Sequence, residues 1–348
     1  MTHDAPAPGT AAGPPVSARQ AWLRAARIAY LGLLAAVLAW VLAGNREQLT
    51  ELARVQRPWL LGVALVTSFG QLALNASFWV RALAAMGQRV AWSRVLAVTA
   101  RSVPARYVPG SVWYAVSRAG MLRATGVGVR ALGVTALLES VLTVIVSLAL
   151  GATLLAFSGR LPGDELTGTL WTLGLAVLVS PPVLNRVLAW VARVRGTPGG
   201  APRFGWRDYG ALAAWMAAFW GLSATTFTLY LAAFGLDLPA PAVVAGTFLV
   251  AWAVGFLTPI APQGAGAFEL VFVALLAGGA GLAGGGLAGG ADMAGGLTGA
   301  GPLVVIVAGY RALVGVRDAV AFGWGAWRGR AATDVSGPGG GTARPVGR

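Results

Sequence analysis

The chain has 348 residues, of which 57% are hydrophobic and only 11% charged, with a formal net charge of +14. Soluble domains carry roughly 25% charged residues, so this one lacks the polar surface to stay in water. All 26 basic residues are arginines set between apolar runs, which fits a membrane topology and excludes a nucleic-acid-binding face.

Cysteine is absent and His3 is the one histidine, in a Pro/Ala-rich tail. Disulfides, thiol nucleophiles and histidine-based metal or acid–base centres are thereby excluded, and no cofactor or metal is expected. The predicted fold is an all-α polytopic membrane protein of six to eight transmembrane helices. Residues 1–18 form a disordered cytoplasmic tail, 19–325 the membrane domain, and 326–348 a second disordered tail. No cleavable signal peptide precedes the first span.

Arg19, Arg24 and Arg27 lead into a span over about 28–44. A polar segment with Arg46, Glu47, Glu51, Arg54 and Arg57 follows. The second span runs from Pro58 to about Val80, with Gln71 and Asn75 four apart on one face as helix–helix glue. A basic loop with Arg81, Arg89 and Arg94 comes next. Val95–Val103 is apolar but too short to cross a core of about 30 Å, and Ser111–Leu122 is no better. Between them lies Pro104-Ala-Arg-Tyr-Val-Pro-Gly110, so this region reads as a re-entrant hairpin, with Arg106 and Arg118 flanking the break at Pro109-Gly110.

Ala131–Phe157 spans and holds one acid, Glu139, either a buried partner for an arginine such as Arg118 or a coupling acid. A short acidic loop follows, then a span over about Leu166–Leu184, kinked or ended by Pro181-Pro182. A basic loop over 186–207 leads into the span Tyr209–Phe234. Pro241–Thr258 and Ala267–Leu282 flank a second break, Pro259-Ile-Ala-Pro-Gln-Gly-Ala-Gly266, and the later helix opens with Glu269. This pair reads either as re-entrant or as two full spans. Residues 278–300 are Gly-rich and read as a flexible linker, with the Gly-rich loop proper over 283–300. The last span, about 302–323, contains Arg311. Trp59, Trp79, Trp92 and Trp206 are expected in the interfacial belts.

With the N-terminus inside, about 20 of the 26 arginines fall in cytoplasmic segments and four outside. Both termini are therefore expected to be cytoplasmic in the inner membrane. The two broken hairpins then enter from opposite sides, which marks an inverted repeat with a site near the midplane. Helix N-termini attract anions, and Gly110, Gly264 and Gly266 allow a ligand to approach the backbone closely. Glu269 is either part of such a site or a first-turn acid on its own helix dipole.

At these hairpins the sequence resembles the lysylphosphatidylglycerol synthase transmembrane region family, also called the flippase-like domain family. Arg106-Tyr-Val-Pro-Gly-Ser-Val-Trp113, Arg118 and Leu137-Leu-Glu139 look like its first signature; Gly255–Glu269, a Pro/Gly turn followed by Gly-x-x-Glu, resembles the second. The chain departs from the commoner pattern at Trp113 and Ser140. The resemblance covers roughly 20–325 and implies the membrane part without the soluble synthase domain. It implies a transporter or flippase, not an enzyme, for a phospholipid or lipid-linked saccharide with an anionic headgroup. The headgroup site would draw on Arg106, Pro109, Gly110, Arg118, Pro262, Gly264, Gly266 and Glu269, with Glu139 and Arg311 coupling or pairing charge. Two alternatives stand beside it. One is a non-catalytic partner of a glycosyltransferase or other cell-envelope enzyme. The other is an integral-membrane enzyme modifying a lipid headgroup, for which candidate bases and nucleophiles are scarce.

Overall fold

The computed structural model describes residues 55–108, 113–159, 180–194, 203–258, 264, 266–278 and 290–334. Every regular element among them is helical. In chain order these are α1 (Pro58–Ala85), α2 (Trp92–Ser102), a 3-10 turn (Val103–Tyr107), α3 (Trp113–Arg123), α4 (Val129–Phe157), α5 (Pro181–Val194), α6 (Trp206–Ala232), α7 (Pro241–Leu257), α8 (Ala267–Gly278) and α9 (Gly290–Asp334).

Three described helices, α1, α4 and α6, are long and apolar enough to cross a membrane. At 28, 29 and 27 residues they measure about 40–43 Å and must tilt within a core of about 30 Å. A helix satisfies its own backbone, which is why an uninterrupted apolar run takes this form in lipid. The helices flanking the two breaks are shorter. α2 and α3 have 11 residues each, α7 has 17 and α8 has 12, or about 16–26 Å. Over their described residues α2, α3 and α8 fall short of the core, and α7 stands at the lower limit for crossing it.

Helix ends follow the proline rules. α1 and α7 both open with proline in the first turn, where a missing N–H costs nothing. The same rule corrects one expectation: Pro181-Pro182 opens α5 and does not merely end a span. Residues 186–194, expected in a basic loop, are therefore helical. Leu184 and Leu188 are buried four residues apart, while Arg186, Val187 and Trp190 are exposed, so α5 is amphipathic. Two further corrections concern α9. The stretch 290–300, expected as linker, is helical, and so is 326–334, expected as disordered tail.

The long helices pack through small residues. α1 lies antiparallel to α6: the Arg57 N–H donates to the Ala233 carbonyl at 3.0 Å, and a Cβ on Gly70 would sit 2.8 Å from Leu222. On α4 and α7, Gly151 and Gly246 face each other so closely that a Cβ on either would stand 3.0 Å from the other's carbonyl. Phe227, Phe248, Phe268, Phe272 and Tyr310 fill the space among α6, α7, α8 and α9, with Phe227 stacked on Phe248 at 4.6 Å. The Tyr230 hydroxyl donates to the Ile306 carbonyl at 2.8 Å, and Gly309 leaves room for it.

Candidate functional site

Gln71, Asn75 and Trp79 recur every four residues on α1 and form one buried stripe. Asn75 and Trp79 of this stripe face Glu139, ten residues into α4 and so about 15 Å from its start. The Asn75 amide donates to Oε1 of Glu139 at 2.7 Å, and the Trp79 indole N–H to Oε2 at 2.9 Å. Arg118 on α3 completes the set, donating from Nη1 to Oε1 at 3.1 Å. Both carboxylate oxygens only accept, as an ionised glutamate requires. Trp79 is thus no interfacial anchor: it is fully buried, whereas Trp59, Trp92 and Trp206 are exposed.

The Arg118 guanidinium also lies over two rings, Trp79 at 4.7 Å and Tyr114 at 4.1 Å. Tyr114 carries a second guanidinium, that of Arg106, also at 4.1 Å. Arg106 leaves the 3-10 turn and reaches Oδ1 of Asp318 on α9 at 4.0 Å. Tyr107 donates its hydroxyl to Oδ2 of the same carboxylate at 3.0 Å. Arg317, next in the chain to Asp318, donates from Nε and Nη2 to Oδ1 at 2.8 and 2.6 Å, and from Nη1 to Gln71 at 2.8 Å. One connected cluster results, joining α1, the first hairpin, α4 and α9, with three guanidiniums and two carboxylates.

Arg118 and Arg317 are the two buried arginines among the described residues, and they differ in one respect. The Nε–Nη2 edge of Arg317 is filled by Asp318. The same edge of Arg118 has no hydrogen-bond partner among the described residues, although its side chain is 0% exposed. That edge presents two parallel N–H groups, the geometry that receives two oxygens of one anion.

The second hairpin is built differently. Glu269, in the first turn of α8, accepts the Gly266 N–H at 2.7 Å on Oε2 and the Arg311 Nε at 2.6 Å on Oε1. The first contact is the back-bond of a capping box. Gly264 and Gly266 both have positive φ, +66° and +87°. A Cβ on Gly264 would collide with the Gly255 carbonyl at the end of α7, whereas one on Gly266 meets nothing within 4 Å. Arg311 lies six and seven residues before Arg317 and Asp318 on α9, so the flanks of the two hairpins stand about 9–10 Å apart along one helix.

Of the residues expected to form the site, Arg106, Arg118 and Glu139 are brought into one cluster, and Gly264, Gly266, Glu269 and Arg311 into another. Pro109, Gly110 and Pro262 lie outside the described residues. Arg317, Tyr107 and Tyr114 were missed. The adjacent opposite charges Arg317-Asp318 inside an apolar run were the available signal. Trp79, expected in an interfacial belt, instead takes the next step of the Gln71–Asn75 stripe.

Comparison with curated proteins finds no match. Over residues 27–305 the sequence matches the family model described as Lysylphosphatidylglycerol synthase TM region, and the chain belongs to that family of membrane proteins of lipid and cell-envelope metabolism.

Proposed function

We propose that the protein is a transporter or flippase for an amphiphile with an anionic headgroup, either a phospholipid or a polyprenyl-phosphate-linked sugar, and that it performs no covalent chemistry. The carrying observation is the connected buried cluster of Arg106, Arg118, Arg317, Glu139 and Asp318. Charges within a membrane domain are costly and persist where they pair or handle a polar cargo. Here they lie beside a broken hairpin, and α9 links them to the Arg311–Glu269 pair beside the other. This arrangement supports a polar path for a headgroup while the tails stay in lipid. Both termini lie in the cytoplasm in this reading, as the arginine distribution favours.

The test is a scrambling assay in proteoliposomes containing purified protein, using lipids labelled on headgroups of different charge. Faster exchange of anionic-headgroup lipids than of protein-free controls is expected, with loss of that exchange in Arg118→Ala protein that still purifies folded. Equal rates with and without protein for every headgroup would overturn the transport reading.

A further inference from the structure

Resting on the transport reading above, we infer that the cluster around Arg118 is built to accept one singly charged oxyanion, a phosphodiester, and to discriminate against doubly charged diphosphates. Two independent observations lead there. The first is the open edge: Nε and Nη2 of Arg118 are buried and unpartnered among the described residues, while Nη1 is held by Glu139. A buried donor without an acceptor is costly, more so when charged, so two together on one guanidinium point to an anion at that edge. Two oxygens on one atom fill it.

The second observation is the charge count. Three guanidiniums, Arg106, Arg118 and Arg317, face two carboxylates, Glu139 and Asp318, and all contacts to both carboxylates come from donors or cations. One positive charge is left over among the described residues. Neither Pro109-Gly-Ser-Val112 nor Pro259–Gln263 contains a charged side chain, and none occurs in 28–44 or 166–180. Those four stretches therefore bring no counter-charge, and the count itself is of the described residues. On the other hairpin Arg311 is ion-paired with Glu269 at 2.6 Å. One negative charge makes the cluster neutral, whereas a second would be buried without a compensating charge.

The stack also orders the approach. The Arg106 side chain is 17% exposed, Tyr114 is half-buried, and the Arg118 side chain is 0% exposed. Arg106 and Arg118 share the Tyr114 ring at 4.1 Å each. An anion meets Arg106 first and is passed across Tyr114 to the open edge of Arg118.

Binding can be measured without transport, by thermal unfolding of detergent-purified protein titrated with short-chain probes. Dihexanoylphosphatidylglycerol supplies a phosphodiester, decanoate a carboxylate, geranyl diphosphate a diphosphate, and dihexanoylglycerol a neutral control. A ligand that binds the folded state raises the midpoint in proportion to its affinity. The phosphodiester should bind at least about tenfold more tightly than the diphosphate, and the neutral control should not bind. Decanoate binding as tightly as the phosphodiester would support the charge rule and overturn the phosphodiester assignment.

Arg118→Lys keeps the charge and loses the two-pronged edge, so phosphodiester affinity should fall about tenfold. Arg106→Gln, at a partly exposed position, leaves the cluster neutral and should remove the preference for anions even if Arg118→Lys fails to fold. Diphosphate binding as tight as phosphodiester, or Arg106→Gln binding like wild type, would overturn the inference. Charge-selective binding without scrambling would instead sink the transport reading and leave the site standing.

Discussion

Arg118 and Glu139 hold each other and their neighbours in place. Removing one partner of a buried pair leaves an uncompensated charge and costs about 3–5 kcal/mol. Arg118→Ala and Glu139→Gln should each lower the unfolding midpoint of the purified protein, and the double variant should lose less than the sum of the two. The cycle also separates two roles. If the double variant regains both its midpoint and its scrambling rate, the pair is structural only. Regained stability with scrambling still absent is the expected result, because the open edge of Arg118 goes with the side chain. Glu139 was legible as a lone acid in an apolar run. Its pairing with Arg118 was expected and is present; its other two donors, Asn75 and Trp79, were not legible, because they come from a different helix, α1.

At the scale of elements, the two breaks were legible as proline and glycine between apolar pieces, the first pair too short to span and the second either re-entrant or two full spans. The glycines of the second break, however, are not equivalent. Gly264 needs both a positive φ and the absence of a Cβ against Gly255; Gly266 needs the positive φ alone. Gly266→Ala should therefore cost about 1–2 kcal/mol, the ordinary strain of a left-handed residue. Gly264→Ala adds a backbone collision and should cost clearly more, with α7 and α8 forced apart. Thermal unfolding of the two variants side by side checks this, and equal losses would mean that the close approach to Gly255 is unimportant. α5 starts where a break was expected because proline suits the first turn of a helix; the extension of α9 beyond 302–323 has no such local signal.

For the whole molecule, contacts between segment ends report which of them share a face. The Arg57 N–H meets Ala233, so the entry to α1 and the exit from α6 lie together. Gln88 accepts the Gly128 N–H at 3.3 Å, which puts the loops before α2 and before α4 on one face. A Cβ on Gly325 would stand 2.9 Å from the Arg101 side chain, drawing the end of α9 to α2. These groupings agree with the sides inferred from the arginines, and labelling decides which face is cytoplasmic. Cysteine at Gly128, where a Cβ meets nothing within 4 Å, should be shielded from an impermeant thiol reagent in intact cells. Cysteine at the exposed Asp237 should react. The opposite pattern would invert the topology.

Composition by itself determined that this is a helical membrane protein, since 57% hydrophobic and 11% charged residues leave too little polar surface for water. Local pattern determined where the apolar runs break, because proline and glycine act on their immediate neighbours. Tertiary structure alone decided which charges meet. Arg317 and Gln71 are 246 residues apart, and Tyr107 and Asp318 are 211 apart. The periodicity of one helix shows which residues share a face but not which helix that face meets. The open edge of Arg118 is a property of the assembled cluster: Glu139 takes one of its nitrogens, Asp318 is committed to Arg317, and nothing described fills the remaining two.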